Sequence, residues 1–313
     1  MLDDRVVWKD GKFIPWKKAQ VHLMSHSFGR GSAIFEVISC YRTDEGTMIF
    51  RLPDHMRRLF NSARMIYMKI PLTKKQLSEA VKKTVARNRV GWGIVKLVCY
   101  YPAVEFESVP HDKRISIAIV AIDFKRDFPI SKLGEDALPK AAISRWRKYH
   151  PDTVPVHCKA AANYLSPMLA KLEVQARGFN TPILLDTQGY LAEGATEAFF
   201  FVKNEKIYTS PLDNILPSIT RASVIEVARD LRIPLFEKKI RPSHILAADE
   251  AFFSSTVVKV WAIKKLEKRK LPAPGPVSLL LIQAFDEICT GKSARHRKWL
   301  TPAGRPSSGK RKG

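Results

Sequence analysis

A chain of 313 residues with 45% hydrophobic and 27% charged residues carries enough apolar material for a sizeable core, which excludes a disordered or fibrous protein. Lys and Arg number 53 against 30 Asp and Glu, a formal net charge of +23, and eight of those charges fall in residues 292–313. The rest are scattered, with neither zinc-finger spacing nor interleaved aromatics, so they suit a solvated basic surface or a small anionic ligand; a basic nucleic-acid-binding protein is kept as the non-enzyme alternative.

Cys40, Cys99, Cys158 and Cys289 stand far apart, which signals neither a disulfide framework nor a zinc site and points to a reducing, cytoplasmic compartment. His22, His26, His150 and His157 have no metal-ligand spacing, so no metal is expected. Met1 to Lys9 lacks the apolar run of a leader and no stretch reaches the roughly 18 apolar residues of a membrane span, so no membrane partner is expected either.

In chain order, Val6 to Trp8 and Lys12 to Ile14 flank Asp10-Gly11 and read as a β-hairpin. A strand follows at Ala33 to Tyr41. Met56, Leu59, Phe60, Ala63, Ile66 and Tyr67 recur at helical spacing after Pro53, as do Leu77, Val81 and Val85. Gly93 to Tyr101 and Ile115 to Ile122 are β-branched runs suited to buried strands. From Asp123 to Leu138 the apolar pattern gives way to charges, Pro129 and Gly134, the composition of a connection between domains. The second half predicts a strand at Ala141 to Arg145, a helix from Ala160 to Arg177 ending at Gly178, and a strand at Thr181 to Leu185. Beyond these come a turn at Thr187-Gln188-Gly189, a hairpin at Asn204-Glu205, a helix from Thr220 to Leu231, short strands through Phe252 and Val260, and a helix from Val277 to Thr290. The chain thus divides into a smaller α/β domain (1–124), a loop (125–138), a larger domain (139–300) and a disordered basic tail (301–313).

Val156-His157-Cys158-Lys159-Ala160-Ala161-Ala162-Asn163-Tyr164 sets a strand-end lysine before a helix with a tyrosine five residues on. Gly189-Tyr190-Leu191-Ala192-Glu193-Gly194-Ala195-Thr196-Glu197 puts a carboxylate after a turn, Leu216-Pro217-Ser218-Ile219-Thr220-Arg221 opens a helix, and Ser254-Ser255-Thr256 ends a strand. With Met24-Ser25-His26, His55-Met56-Arg57-Arg58-Leu59 and Trp299-Leu300, this pattern resembles the fold-type IV pyridoxal-phosphate enzymes over almost the whole chain. The resemblance is to the class-IV aminotransferases, and among these to the branched-chain amino acid aminotransferases.

The resemblance implies a two-domain α/β (α+β) fold with pyridoxal 5′-phosphate in the cleft between domains, a homodimer, and transamination between an aliphatic amino acid and a 2-oxo acid. Lys159 would be the catalytic residue, forming the Schiff base and shuttling the proton. Glu193 would meet the pyridine nitrogen, Tyr164 the ring oxygen and Leu216 the ring face; Arg58, Thr256 and the helix start at Ile219-Thr220 would hold the phosphate. Substrate contacts would fall to Arg30, Phe35, Lys96 and Val257.

The substrate half departs from the family. Arg30 replaces a tyrosine, Lys96 replaces an arginine and so loses its bidentate fork, and Glu105-Phe106-Glu107-Ser108 replaces a Gly-rich turn. Arg126 and Pro129 replace aromatics, and Ala198 an asparagine. Those changes leave a D-amino acid aminotransferase or an aminodeoxychorismate lyase of the same fold as alternatives. Gly29-Arg30-Gly31, lacking the lysine and hydroxyl of a phosphate loop, is a weak phosphate signal.

Overall fold

The computed structural model describes residues 2–127 and 138–304, so Pro129, Gly134 and most of the interdomain loop lie outside the described residues. Its contacts divide the chain into two units: Met1–Gly134 with Cys158–Ala162 and Glu287–Gly313, and Glu135–His157 with Asn163–Asp286.

The first unit is built on a seven-stranded sheet in the order β16-β4-β3-β5-β6-β1-β2. Strands β1 (Val6–Lys9) and β2 (Lys12–Pro15) form the expected hairpin, its turn made by Asp10 and Gly11 at positive φ. The short helix α1 (His26–Arg30) leads into β3 (Ile34–Thr43), which turns into β4 (Gly46–Phe50). Helices α2 (Leu52–Met65) and α3 (Lys74–Arg87) precede β5 (Gly93–Tyr100) and β6 (Ser116–Asp123). The apolar stripe read at Met56, Leu59 and Ala63 and that at Leu77, Val81 and Val85 both bury in one core, against Ile34, Ile38 and Cys40 of β3 and Val95 and Leu97 of β5. Burying such stripes is what holds these helices, since an isolated helix of this length is marginal in water.

The second unit carries two sheets, β11-β10-β9-β12-β13 and β15-β14-β7-β8. Strand β7 (Lys140–Arg147) runs parallel to β8 (Thr181–Leu185) across helix α4 (Leu165–Ala176). The hairpin β9 (Ala198–Lys203) and β10 (Lys206–Thr209) turns at Asn204-Glu205, and helix α5 (Ile219–Asp230) returns the chain to β11 (Leu235–Glu237), parallel to β10. Helix α6 (Pro242–Leu246), strands β12 (Glu250–Ser254), β13 (Trp261–Ala262), β14 (Lys265–Leu266) and β15 (Arg269–Lys270), and helix α7 (Pro276–Cys289) follow. Phe199, Phe201 and Phe253, with Ile183 and Ile263, belong to one hydrophobic cluster of this unit.

Three expectations need correction. Helix α4 starts at Leu165 rather than Ala160, after a 3-10 turn over Ala161–Tyr164. Pro167 is the reason: it lacks an N–H and fits the first helical turn, whereas a start at Ala160 would bury it mid-helix. The strand expected at Val260 is displaced to β13, Trp261–Ala262. The tail is not disordered from residue 301, because β16 (Leu300–Pro302) pairs antiparallel with β4 and Ala303 N–H donates to Thr47 O at 2.9 Å. Residues 305–313 lie outside the described residues.

Candidate active site

In the first unit the lysine segment is held as an extra extended strip along β3. Phe35 N–H donates to Lys159 O at 3.1 Å, Ala161 N–H to Ala33 O at 2.8 Å and Ala162 N–H to Gly31 O at 3.2 Å. Lys159 N–H donates to Ser62 Oγ of α2 at 3.0 Å, so backbone groups on both sides of the residue are fixed. Its ammonium lies 5.0 Å from the centre of the Phe35 ring, and Lys96 Nζ lies 5.3 Å from the same centre. The structure thus brings Lys159, Phe35 and Lys96 together. Gly31 caps α1 with φ of +66°, and a Cβ there would lie 3.1 Å from that of Ala162. The glycine is required by backbone shape and close approach, which accounts for Gly29-Arg30-Gly31 without any phosphate.

Arg58 lies on α2 one turn before Ser62 and is buried. Its Nε donates to Glu36 Oε1 at 2.8 Å and its Nη2 to Glu36 Oε2 at 2.7 Å, while His55 Nδ1 sits 2.7 Å from Glu36 Oε2. Burial pushes the Glu36 carboxyl up, but the Arg58 guanidinium and His55 outweigh it and hold the group at about 2. Burial also pulls the His55 pKa below its ordinary value, against the opposing pull of Glu36.

The remaining replaced residues are engaged locally. Arg30 is exposed and its Nη2 donates to Phe106 O at 2.9 Å. Glu105 accepts from His111 N–H and Asp112 N–H, both at 2.8 Å, so its carboxylate braces its own loop; the same bonds lower its pKa. Arg126 Nη2 donates to Asn88 O and Arg89 O.

The second unit holds the other expected residues. Lys148 N–H donates to Leu185 O and Leu184 N–H to Glu193 O, so β8 brings Lys148 and Glu193 side by side, and the two buried side chains form a salt bridge. A Cβ on Gly194 would lie 2.9 Å from Phe253 Cε1, and Ala198 pairs with Ser254, so the 193–197 loop lies against the end of β12. Thr256 and the exposed Val257 follow that strand end, where the Ser254 hydroxyl is buried with no hydrogen-bond partner among the described residues. Ser218 caps α5, accepting from Arg221 N–H, and the helix opens with buried Ile219 and Thr220. Arg221 ties α5 to Ser210 O and Glu237, while Leu216 and Tyr164 are half-buried.

Reading the sequence missed Glu36, Lys148 and Ser62. Only Glu36 left a signal, a carboxylate on the otherwise apolar face of a strand, which demands a buried cation.

Taken by chemistry, the first unit holds a pinned amine and an oriented guanidinium, and the second a capped helix start, a strand-end hydroxyl and a buried carboxylate. Pyridoxal phosphate presents an aldehyde, a dianionic phosphate and a basic ring nitrogen, and these groups fit it.

The family model for amino-transferase class IV matches residues 33–266. The branched-chain-amino-acid aminotransferase of Pseudomonas aeruginosa is 31% identical over 303 residues, covering 95% of this chain and 97% of that protein. The crystal structure of the branched-chain aminotransferase of Thermoproteus uzoniensis with norvaline superposes with a TM-score of 0.89 at 35% identity, over 96% of this chain and 99% of that one. The pyridoxal-phosphate form of the Thermobaculum terrenum branched-chain amino acid aminotransferase gives 0.90 at 32%, over 97% and 100%. The chain therefore belongs to the class-IV aminotransferases and is a pyridoxal-phosphate-dependent transaminase of amino and 2-oxo acids.

Proposed function

We propose that this enzyme transfers the amino group of a branched-chain or related aliphatic amino acid to a 2-oxo acid, with Lys159 as its catalytic residue. The carrying observation is the pinned Lys159, whose backbone is bonded to β3 and α2 while its amine rests over Phe35. Bound pyridoxal phosphate supplies an aldehyde that takes up amines and a ring that accepts the electron pair left at Cα. Lys159 Nζ would hold that aldehyde and, as a free amine, would take the proton from the donor's Cα and, in the second half-reaction, return one to Cα of the new amino acid. Glu193 would hold the proton on the ring nitrogen and Tyr164 would donate to the ring oxygen. Leu216 would pack on the ring, while Arg58, Thr256 and the Ile219 and Thr220 N–H groups would bind the phosphate. Phe35 and Val257 offer apolar contact to the side chain, and Lys96 and Arg30 offer positive charge to the carboxylate.

A homodimer is supported by apolar side chains exposed on the first unit, among them Leu23 (65%), Phe28 (74%), Phe106 (75%) and Val109 (67%). Sedimentation as a monomer at micromolar concentration would end that part of the reading. A domain boundary within 125–138 is supported by the change of unit between Asp127 and Leu138, and a cytoplasmic location by four buried cysteines that form no disulfide. Adding L-leucine to the cofactor-loaded enzyme should change its visible absorption and release the matching oxo acid. Lys159→Ala should abolish both while leaving the fold intact, and wild-type turnover in that variant would overturn the assignment.

A further inference from the structure

We infer that Glu36 is a positioning residue for cofactor phosphate: it fixes the Arg58 guanidinium on the same strand that carries the Lys159 segment, and so sets the spacing between the phosphate-binding and aldehyde-binding groups. This rests on the reading of Arg58 as a phosphate ligand.

Alternation along β3 puts Glu36 on the core face with Ile34 and Ile38, where it is fully buried. Two partners on α2 meet it there. Arg58 donates twice and His55 once, the two standing three residues apart on one helix face. The neighbouring residue, Phe35, bonds through its N–H to Lys159 O, and Lys159 N–H bonds to Ser62 of the same α2. Consecutive residues of one strand therefore anchor the amine and the guanidinium, and one helix braces both. A rigid ligand with an aldehyde at one end and a phosphate at the other requires such a fixed separation.

Charge alone gives no reason for this carboxylate. An anion placed behind a phosphate-binding arginine weakens its attraction for phosphate, so a site built on Coulomb attraction would bind tighter without it. A guanidinium held bidentately keeps its plane and loses little freedom when it meets the ligand, which favours binding by orientation. The two accounts predict opposite signs.

The test is the affinity of the apoprotein for pyridoxal 5′-phosphate and for pyridoxal, which keeps the aldehyde and ring but lacks the phosphate, followed by fluorescence quenching. Glu36→Gln should weaken binding of the phosphate form by about tenfold or more and leave pyridoxal nearly unchanged. Inorganic phosphate should also compete less well. Should that variant not fold, Glu36→Asp keeps the charge but withdraws it by one methylene and should show the same selective loss. The pair Glu36→Gln with Arg58→Met, which removes both buried charges, should match Arg58→Met alone. Unchanged or tighter binding of the phosphate form would overturn the inference, as would equal loss for both ligands, the mark of a general structural role. If the wild-type protein binds both ligands alike, the phosphate reading of Arg58 fails first and takes the inference with it.

Discussion

Lys148 and Glu193 place an ammonium and a carboxylate together in the interior of the second unit, and such a pair is sensitive to losing one member. Lys148→Met should lower the stability of the apoprotein by about 3 kcal/mol, because an ionised carboxylate is left buried without its cation. If Glu193 meets the ring nitrogen of pyridoxal phosphate, as proposed, saturating cofactor should narrow the gap to wild type in urea denaturation. A gap that the cofactor leaves untouched would show that Glu193 does not meet the ring. Glu36 gives a second test through pH. Its carboxyl is held at about 2 against an ordinary 4.5, so its contribution is fully present above about pH 4.5 and is lost as pH falls through about 2. That contribution is about 3 kcal/mol. The stability difference between wild type and Glu36→Gln should therefore be largest near neutrality and shrink on acidification below pH 4.5, and a difference independent of pH would contradict the buried ion pair. Lys159, Arg58 and Glu193 stand out in the sequence because each sits in a local motif. The pairings Glu36–Arg58 and Lys148–Glu193 do not, since they join residues 22 and 45 positions apart and no local pattern encodes such a contact.

Among the elements, strands with clean alternation or β-branched runs and helices with a single apolar stripe are legible in the amino-acid sequence itself. The failures have identifiable causes. Ala160-Ala161-Ala162 has high helix propensity, yet its backbone is committed to β3 and Gly31, and tertiary pairing overrides propensity there. Leu300–Pro302 is too short to carry a periodic signal and is followed by Pro, Gly and basic residues, so composition hid a strand that closes the edge beside β4. Leu300 is buried and Trp299 packs edge-on against Phe50. Leu300→Ala should accordingly cost about 2 kcal/mol, measured by thermal or urea denaturation. Leu279→Ala on α7, where the leucine is 41% exposed, should cost well under half as much. Equal small effects would mean that β16 adds nothing to the sheet.

At the scale of the whole molecule, the net charge of +23 proved the least informative property of the sequence, because dispersed lysines and arginines serve solvation, cation–π contacts and backbone capping alike. What identified the activity was a set of short motifs spread through the chain. The substrate-side replacements at Arg30, Lys96 and Glu105 are used within the first unit, with Arg30 and Glu105 bonded to backbone groups and Lys96 over Phe35. The proposed chemistry stands on Lys159, among all the lysines, holding the cofactor. Borohydride reduction of the cofactor-loaded enzyme, followed by peptide mass mapping, tests it directly. The phosphopyridoxyl group should appear on the peptide containing Lys159 and be absent after Lys159→Ala; stoichiometric label on another lysine, such as Lys96 or Lys148, would overturn the assignment.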